Sequence, residues 1–188
     1  MRLWTIQSKE VYEILHRDGV YHCDRRKSEG MRNFVLPYLW LSAEMKRRVG
    51  PPPQGVTLPI WAWHTWEWKH KKPDLRAGEF YHYPPGSVCM EIEIPDEKVL
   101  LNDGDAWDII LNNGVLFSCA DEEEYNRKEE ALEKLPKREQ RQIKRQSWDK
   151  VFDITPSYKE WDRRGMYVQA TFWELRREQV VKVWQMKH

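Results

Sequence analysis

Cysteine is scarce in this chain. Cys23, Cys89 and Cys119 are odd in number and far apart, and no pair forms a CxxC. Neither a disulfide framework nor a structural zinc site is therefore expected. Glycine is sparse too, at nine residues in 188, and no GxGxxG, Walker loop or GxSxG elbow is present. The six histidines, His16, His22, His64, His70, His82 and His188, make no HExxH or HxH, so no metal site is expected. No apolar run approaches the roughly 18 residues of a membrane-spanning helix. The opening Met1-Arg2-Leu3-Trp4-Thr5-Ile6-Gln7 lacks the apolar core of a secretory leader. The expectation is a cytoplasmic protein without membrane association. Neither sign of charge is in excess, since 31 Lys plus Arg against 30 Asp plus Glu leave +1. That argues against a uniformly basic nucleic-acid binder.

What the chain has is tryptophan. Eleven occur in 188 residues, and four of them fall within Pro59-Ile60-Trp61-Ala62-Trp63-His64-Thr65-Trp66-Glu67-Trp68. Tryptophan is rarely buried completely, and its indole N–H needs a partner once it leaves water. Such a cluster is either an aromatic core or the wall of a pocket that stacks a flat ligand. With 40% hydrophobic residues there is enough apolar material for a core, and the mean hydropathy of -0.84 reflects 32% charged residues. The length fits one domain, 1–188.

Along the chain, a short strand over 3–7 precedes a helix capped by Ser8 and closed by Gly19. Residues 20–23 are extended. A helix over 33–49 carries Phe34, Tyr38, Leu41 and Met45 at helical spacing and is stopped by Gly50-Pro51-Pro52-Pro53. In the tryptophan strand, alternation places Trp61, Trp63 and Thr65 on one face and Ile60, Ala62, His64 and Trp66 on the other. The strand over 88–94 faces Val88, Met90, Ile92 and Ile94 one way. Residues 101–114 read as a loop, an Asp-capped helix of two turns and an Asn112-Asn113-Gly114 stop. Asp103, Asp105 and Asp108 lack the ordered ligand set of a calcium loop, so helix capping by Asp103 is expected instead. Residues 121–148 read as a charge-rich, solvated helical insertion broken at Pro136. Two strands, 167–173 and 180–186, close the chain with a turn over 174–178. The pattern is α+β: a twisted mixed sheet holding the N- and C-terminal strands together, with helices packed around it.

Polar residues on otherwise apolar strands are the places to look for chemistry. If the first and penultimate strands are neighbours, Thr5, Gln7, Gln169 and Thr171 line one cleft beside Trp61 and Trp63. Tyr167 and Trp173 share the face of Gln169 and Thr171, and Trp4, Trp107 and Trp173 are expected to converge nearby. His64 is the candidate base within the tryptophan strand. Lys69, Lys71, Lys72 and Arg76 are candidate phosphate ligands.

Several blocks together resemble a domain-of-unknown-function family of bacteria and phages. They are Leu3-Trp4-Thr5-Ile6-Gln7, Gly50-Pro51-Pro52-Pro53, Pro59-Ile60-Trp61-Ala62-Trp63, Lys72-Pro73-Asp74-Leu75-Arg76, Leu100-Leu101-Asn102-Asp103 leading to Trp107 and Leu111-Asn112, and Gln169-Ala170-Thr171-Phe172-Trp173-Glu174. The resemblance covers nearly the whole chain and carries no activity with it. The opening strand, helix and Gly19 are also distantly similar to compact ADP-ribosyltransferase-like domains, which bind NAD in a cleft between two small sheets. That likeness implies NAD as ligand, Thr5, Gln7 and Gln169 on its amides and riboses, and Glu174 stabilising the oxocarbenium ion, with Gln169 beside it. The chain departs from the pattern in having no Ser-Thr-Ser strand and no Glu-x-Glu near its C-terminus. Gly19-Val20-Tyr21-His22-Cys23-Asp24-Arg25-Arg26 loosely resembles an element of ASCH/PUA-like barrels, which bind RNA or modified bases. The leading expectation is a nucleotide-binding domain with ADP-ribosyl-transfer chemistry. A non-enzymatic nucleotide or nucleic-acid module, and a protein-interaction or inhibitor protein of a conflict system, remain the alternatives.

Overall fold

The structure, a computed structural model, describes residues 1–186; His188 lies outside the described residues. Among the described residues, eight strands and six α-helices follow one another in the order β1 (Arg2–Gln7), α1 (Lys9–Asp18), β2 (Val20–Tyr21), α2 (Glu29–Asn33), α3 (Val35–Arg48), β3 (Ile60–Trp66), β4 (Val88–Glu93), β5 (Leu100–Asp103), α4 (Gly104–Leu111), α5 (Glu122–Glu133), α6 (Lys137–Ser147), β6 (Tyr167–Phe172), β7 (Leu175–Arg176) and β8 (Val180–Gln185). Six strands form one sheet in the order β5-β6-β3-β1-β4-β8, and β2 pairs with β7 apart from it. The fold is α+β. Each pairing is antiparallel, where a mixed sheet was expected. The terminal strands share the sheet with β4 between them, and β3 separates β1 from β6.

The helix ends are built as the caps require. The Ser8 hydroxyl accepts from the Val11 amide, and Gly19 closes α1 at φ 78°, a left-handed conformation that costs glycine least. The Asp103 carboxylate caps α4 through Ala106 N–H. Pro136 separates α5 from α6, and neither of these helices buries a residue, while Trp148 just beyond them is fully buried.

The sheet has two apolar faces because its strands alternate. On one, Leu3, Ile60, Ala62, Met90, Ile92, Ala170 and Phe172 pack with Leu15 of α1 and Leu175 of β7. On the other, Leu41 and Met45 of α3, Trp107 and Ile110 of α4, and Trp148 cover the β5-β6-β3 side. Each fully buried leucine or isoleucine here contributes roughly 1.5–3 kcal/mol relative to exposure. Over β1 and β4 lie Trp66 and Phe80, packed with Trp4, Ile6 and Cys89. Among the described residues no helix is long and apolar enough to cross a membrane.

Two local readings of the sequence are corrected. Residues 100–103 form the edge strand β5, paired with β6 from Leu100 opposite Thr171 to Asp103 opposite Val168. The alternation of the tryptophan strand also breaks. Trp63 faces Gln169 while Thr65 already faces Val168, so His64 is an extra, bulged residue. One inserted residue exchanges the faces of everything after it. Trp66 therefore joins Trp63, Trp4 and Phe80 instead of packing with Ile60 and Ala62.

Candidate functional site

The geometry of the site begins with the pairing of β1 and β3. Among the described residues these two strands share one register position, Trp4 opposite Trp63. β1 pairs with β4 along its whole length, from Arg2 to Gln7, and β3 with β6 from Ile60 to Trp66. The six-stranded sheet is thus two three-stranded halves that part towards Gln7. Where they part, a side chain does what the ladder no longer does: Thr5 Oγ1 donates to the Trp61 carbonyl at 2.7 Å and accepts from Gln7 Nε2 at 2.7 Å.

A cavity of about 490 Å³ opens at this parting, within the range of roughly 300–1,000 Å³ usual for small-molecule sites. Its walls are two aromatic groups. Trp61 of β3, Tyr38 of α3 and Trp107 of α4 form the first, with ring centroids 5.1 Å (Trp61–Trp107), 5.6 Å (Tyr38–Trp107) and 6.0 Å (Tyr38–Trp61) apart. Trp63, Phe80 and Tyr83 form the second, with centroids 6.0 Å (Trp63–Phe80) and 6.4 Å (Phe80–Tyr83) apart. Trp61 and Trp63 are half-buried, as walls of an open cavity must be. α3 delivers Tyr38 because Gly30 of α2 has no side chain: a Cβ there would lie 2.1 Å from the Tyr38 ring.

Polar groups punctuate the walls. Gln7 and Gln169 line the cavity, as do the carboxylates of Glu79 and Asp108. Partial burial holds the Asp108 carboxyl above the ordinary carboxylate range. Cys23 also lines the cavity, but burial, with Asp24 adding, pushes its thiol up to about 11. At neutral pH it is a thiol and a poor nucleophile. Among the described residues no group of three or more His, Cys, Asp or Glu is placed to hold a metal ion.

The expected site residues divide cleanly. Gln7, Trp61, Trp63 and Gln169 come together in the cavity, with Trp107 beside them. Thr5 is fully buried behind it and acts through Gln7 and Trp61. Thr171 is also fully buried, with its hydroxyl donating to the Leu100 carbonyl. Trp173 donates its indole N–H to the Gly50 carbonyl, and Trp4 packs with Phe80 and Trp66. His64 is stacked on His70, and Arg76 forms a fork with Asp74 on the surface. Glu174 lies outside the cavity lining. Partial burial opposes its ionisation, yet hydrogen bonds from Arg176 and His22, at 2.8 and 3.2 Å, hold its carboxyl below the ordinary range. Lys71 pairs with Glu67, and Lys72 lies over the Trp184 ring, so the expected phosphate ligands are mostly occupied elsewhere.

Sequence reasoning missed Tyr38, Glu79, Phe80, Tyr83 and Asp108. No spacing joins them, because α3, α4 and the 3-10 turn at Gly78–Phe80 approach one another only across the sheet. The family model described as a domain of unknown function (DUF3841) matches residues 2–181. No curated protein and no solved structure matches the chain.

Proposed function

The chain belongs to the DUF3841 family of domains of unknown function, and from that premise we propose that its cavity binds a dinucleotide of the NAD class and that the protein transfers the ADP-ribosyl group. The observation that carries the reading is that two aromatic groups, Tyr38/Trp61/Trp107 and Trp63/Phe80/Tyr83, line one cavity where the two halves of the sheet part. A dinucleotide has two flat ring systems joined by a polar middle. Base–aromatic stacking contributes about 1–3 kcal/mol per base, and the amides of Gln7 and Gln169 supply polar partners for riboses or a carboxamide. The likeness to ADP-ribosyltransferase-like domains implies a cleft between two small sheets; here the cavity lies between the two halves of one six-stranded sheet.

In the proposed reaction the bond between ribose C1′ and the nicotinamide nitrogen breaks, and the electron pair leaves with the nicotinamide. The ribose is left with oxocarbenium character, which a nearby carboxylate stabilises. Glu79 and Asp108 are the carboxylates in the cavity, so they take the role that the sequence suggested for Glu174. The acceptor nucleophile attacks C1′ and loses its proton; with no acceptor present, water takes that place. The setting we propose is the cytoplasm and, on the family resemblance, a bacterial or phage conflict system.

Calorimetry with NAD tests the binding. The expected result is saturable binding that Trp61→Ala weakens by roughly 5- to 150-fold, the equivalent of one lost stacking contact. Absence of heat at millimolar NAD overturns the reading. Release of nicotinamide, lost in Glu79→Gln or Asp108→Asn, tests the transfer step.

A further inference from the structure

Behind the cavity lies an amide that the ligand cannot reach. Asn102 of β5 is fully buried, and it stands opposite Gln169 of β6 in the register. Its Nδ2 donates to Gln169 Oε1 at 3.3 Å, while its own Oδ1 is buried without a partner. Reversing the Asn102 amide would leave a buried N–H pair unsatisfied instead of a carbonyl oxygen. Orphaned buried N–H groups are the rarer and costlier of the two. The next residue, Asp103, is fixed by Ala106 N–H and by Gly165 N–H, so the backbone under Asn102 is held.

Gln169 is half-buried and lines the cavity. With Oε1 taken by Asn102, the free part of its amide is Nε2, which carries two donors and no acceptor. We infer that Asn102 is a positioning residue: it turns the Gln169 amide so that this wall offers N–H and reads an acceptor oxygen on the ligand, such as a ring carbonyl or a ribose oxygen. The ligand class rests on the reading above; the orientation does not.

The test is side-chain amide proton exchange by NMR, with the two resonance pairs assigned from Asn102→Asp and Gln169→Glu. In the wild type, Gln169 amide protons exchange quickly with water and those of Asn102 slowly. In Asn102→Asp the new carboxyl accepts from Gln169 Nε2, the amide turns over, and its protons slow by about tenfold or more. Gln169→Glu, at a half-buried site that tolerates the change, keeps the Asn102 bond, so the Asn102 protons stay slow. Slow Gln169 protons in the wild type, or unchanged exchange in Asn102→Asp, overturn the inference.

A ligand arm compares NAD with its hypoxanthine and nicotinic-acid counterparts, which exchange an amino group for an oxygen at one ring or the other. The relative affinities for one of these pairs should shift by at least about fivefold in both variants, towards the ligand that donates. Ratios unchanged in both variants, with NAD still bound, sink the acceptor-reading role and leave the nucleotide reading standing. If no dinucleotide binds the wild type, the nucleotide reading falls, and the exchange pattern alone decides the orientation.

Discussion

His64 shows how one inserted residue changes what a side chain can do. As the bulge of β3 it leaves the strand's alternation, and its ring stacks on His70 at a centroid distance of 4.3 Å and an interplanar angle of 15°. His70 Nε2–H donates to the Arg2 carbonyl at 2.8 Å, and Thr65 Oγ1 lies 2.9 Å from His64 Nδ1. Burial first, then His70 and the N-terminal ammonium, against some help from Asp96, push His64 down to about 4. The ring is neutral at pH 7 and lies outside the cavity lining, so we assign it no role as a base. Its titration bears on stability. Below about pH 6.5 the unfolded chain takes up a proton that the folded chain refuses, so stability is present above that value and is lost as pH falls towards 4. The loss should be on the order of 2–3 kcal/mol after solvent screening. Urea midpoints at pH 7 and pH 4.5 should show it, and His64→Gln should flatten the difference; an equal loss in that variant assigns it to other groups.

At the scale of elements, the junction between β5 and α4 decides whether the aromatic wall stands. Asp103 ends β5, caps α4 through Ala106 and accepts from Gly165 N–H at 2.7 Å. Losing an N-cap costs about 0.5–2 kcal/mol, and here a buried donor is stranded as well. Asp103→Ala should therefore lose on the order of 2–3 kcal/mol in chemical denaturation, with Asp103→Asn losing clearly less. On the same wall, Gly30→Ala should leave stability nearly unchanged but displace Tyr38 and weaken dinucleotide binding several-fold; unchanged affinity would show that Tyr38 is no wall. These elements differ in how far the sequence announces them. α1 and α4 carry their own caps, β4 its alternation and α3 its terminal prolines, so each is legible from a few neighbouring residues. β5 is not, because Asn102 and Asp103 are polar and the strand exists only by pairing with β6 across some 65 positions of chain. The bulge at His64 is equally silent, being a matter of register between strands. The site was half legible for the same reason. Trp61 and Trp63 advertise themselves by type and Gln169 by standing on an apolar strand, whereas Glu79 and Asp108 are ordinary surface carboxylates until the fold brings them to one cavity.

At the scale of the molecule, the single shared position of β1 and β3 makes the sheet a hinge between two well-laddered halves. The hydrogen bond from Thr5 turns the Trp61 carbonyl towards β1, and in a strand the N–H of the same residue points to the same side. The Trp61 amide therefore faces the parting, while that of Ala62, which stands opposite Ala170, belongs to the β6 ladder. Opening of the parting exposes the first without disturbing the second, so backbone amide exchange should be faster at Trp61 than at Ala62. A ligand that stacks on both aromatic groups ties the two halves together and stabilises the closed arrangement by its binding free energy. Saturating NAD should then slow exchange at Trp61 by tenfold or more while amides of the β1–β4 ladder barely change. Uniform slowing across the whole sheet would mean that the ligand stabilises the fold globally, and that the parting of β1 and β3 is a rigid feature of the sheet.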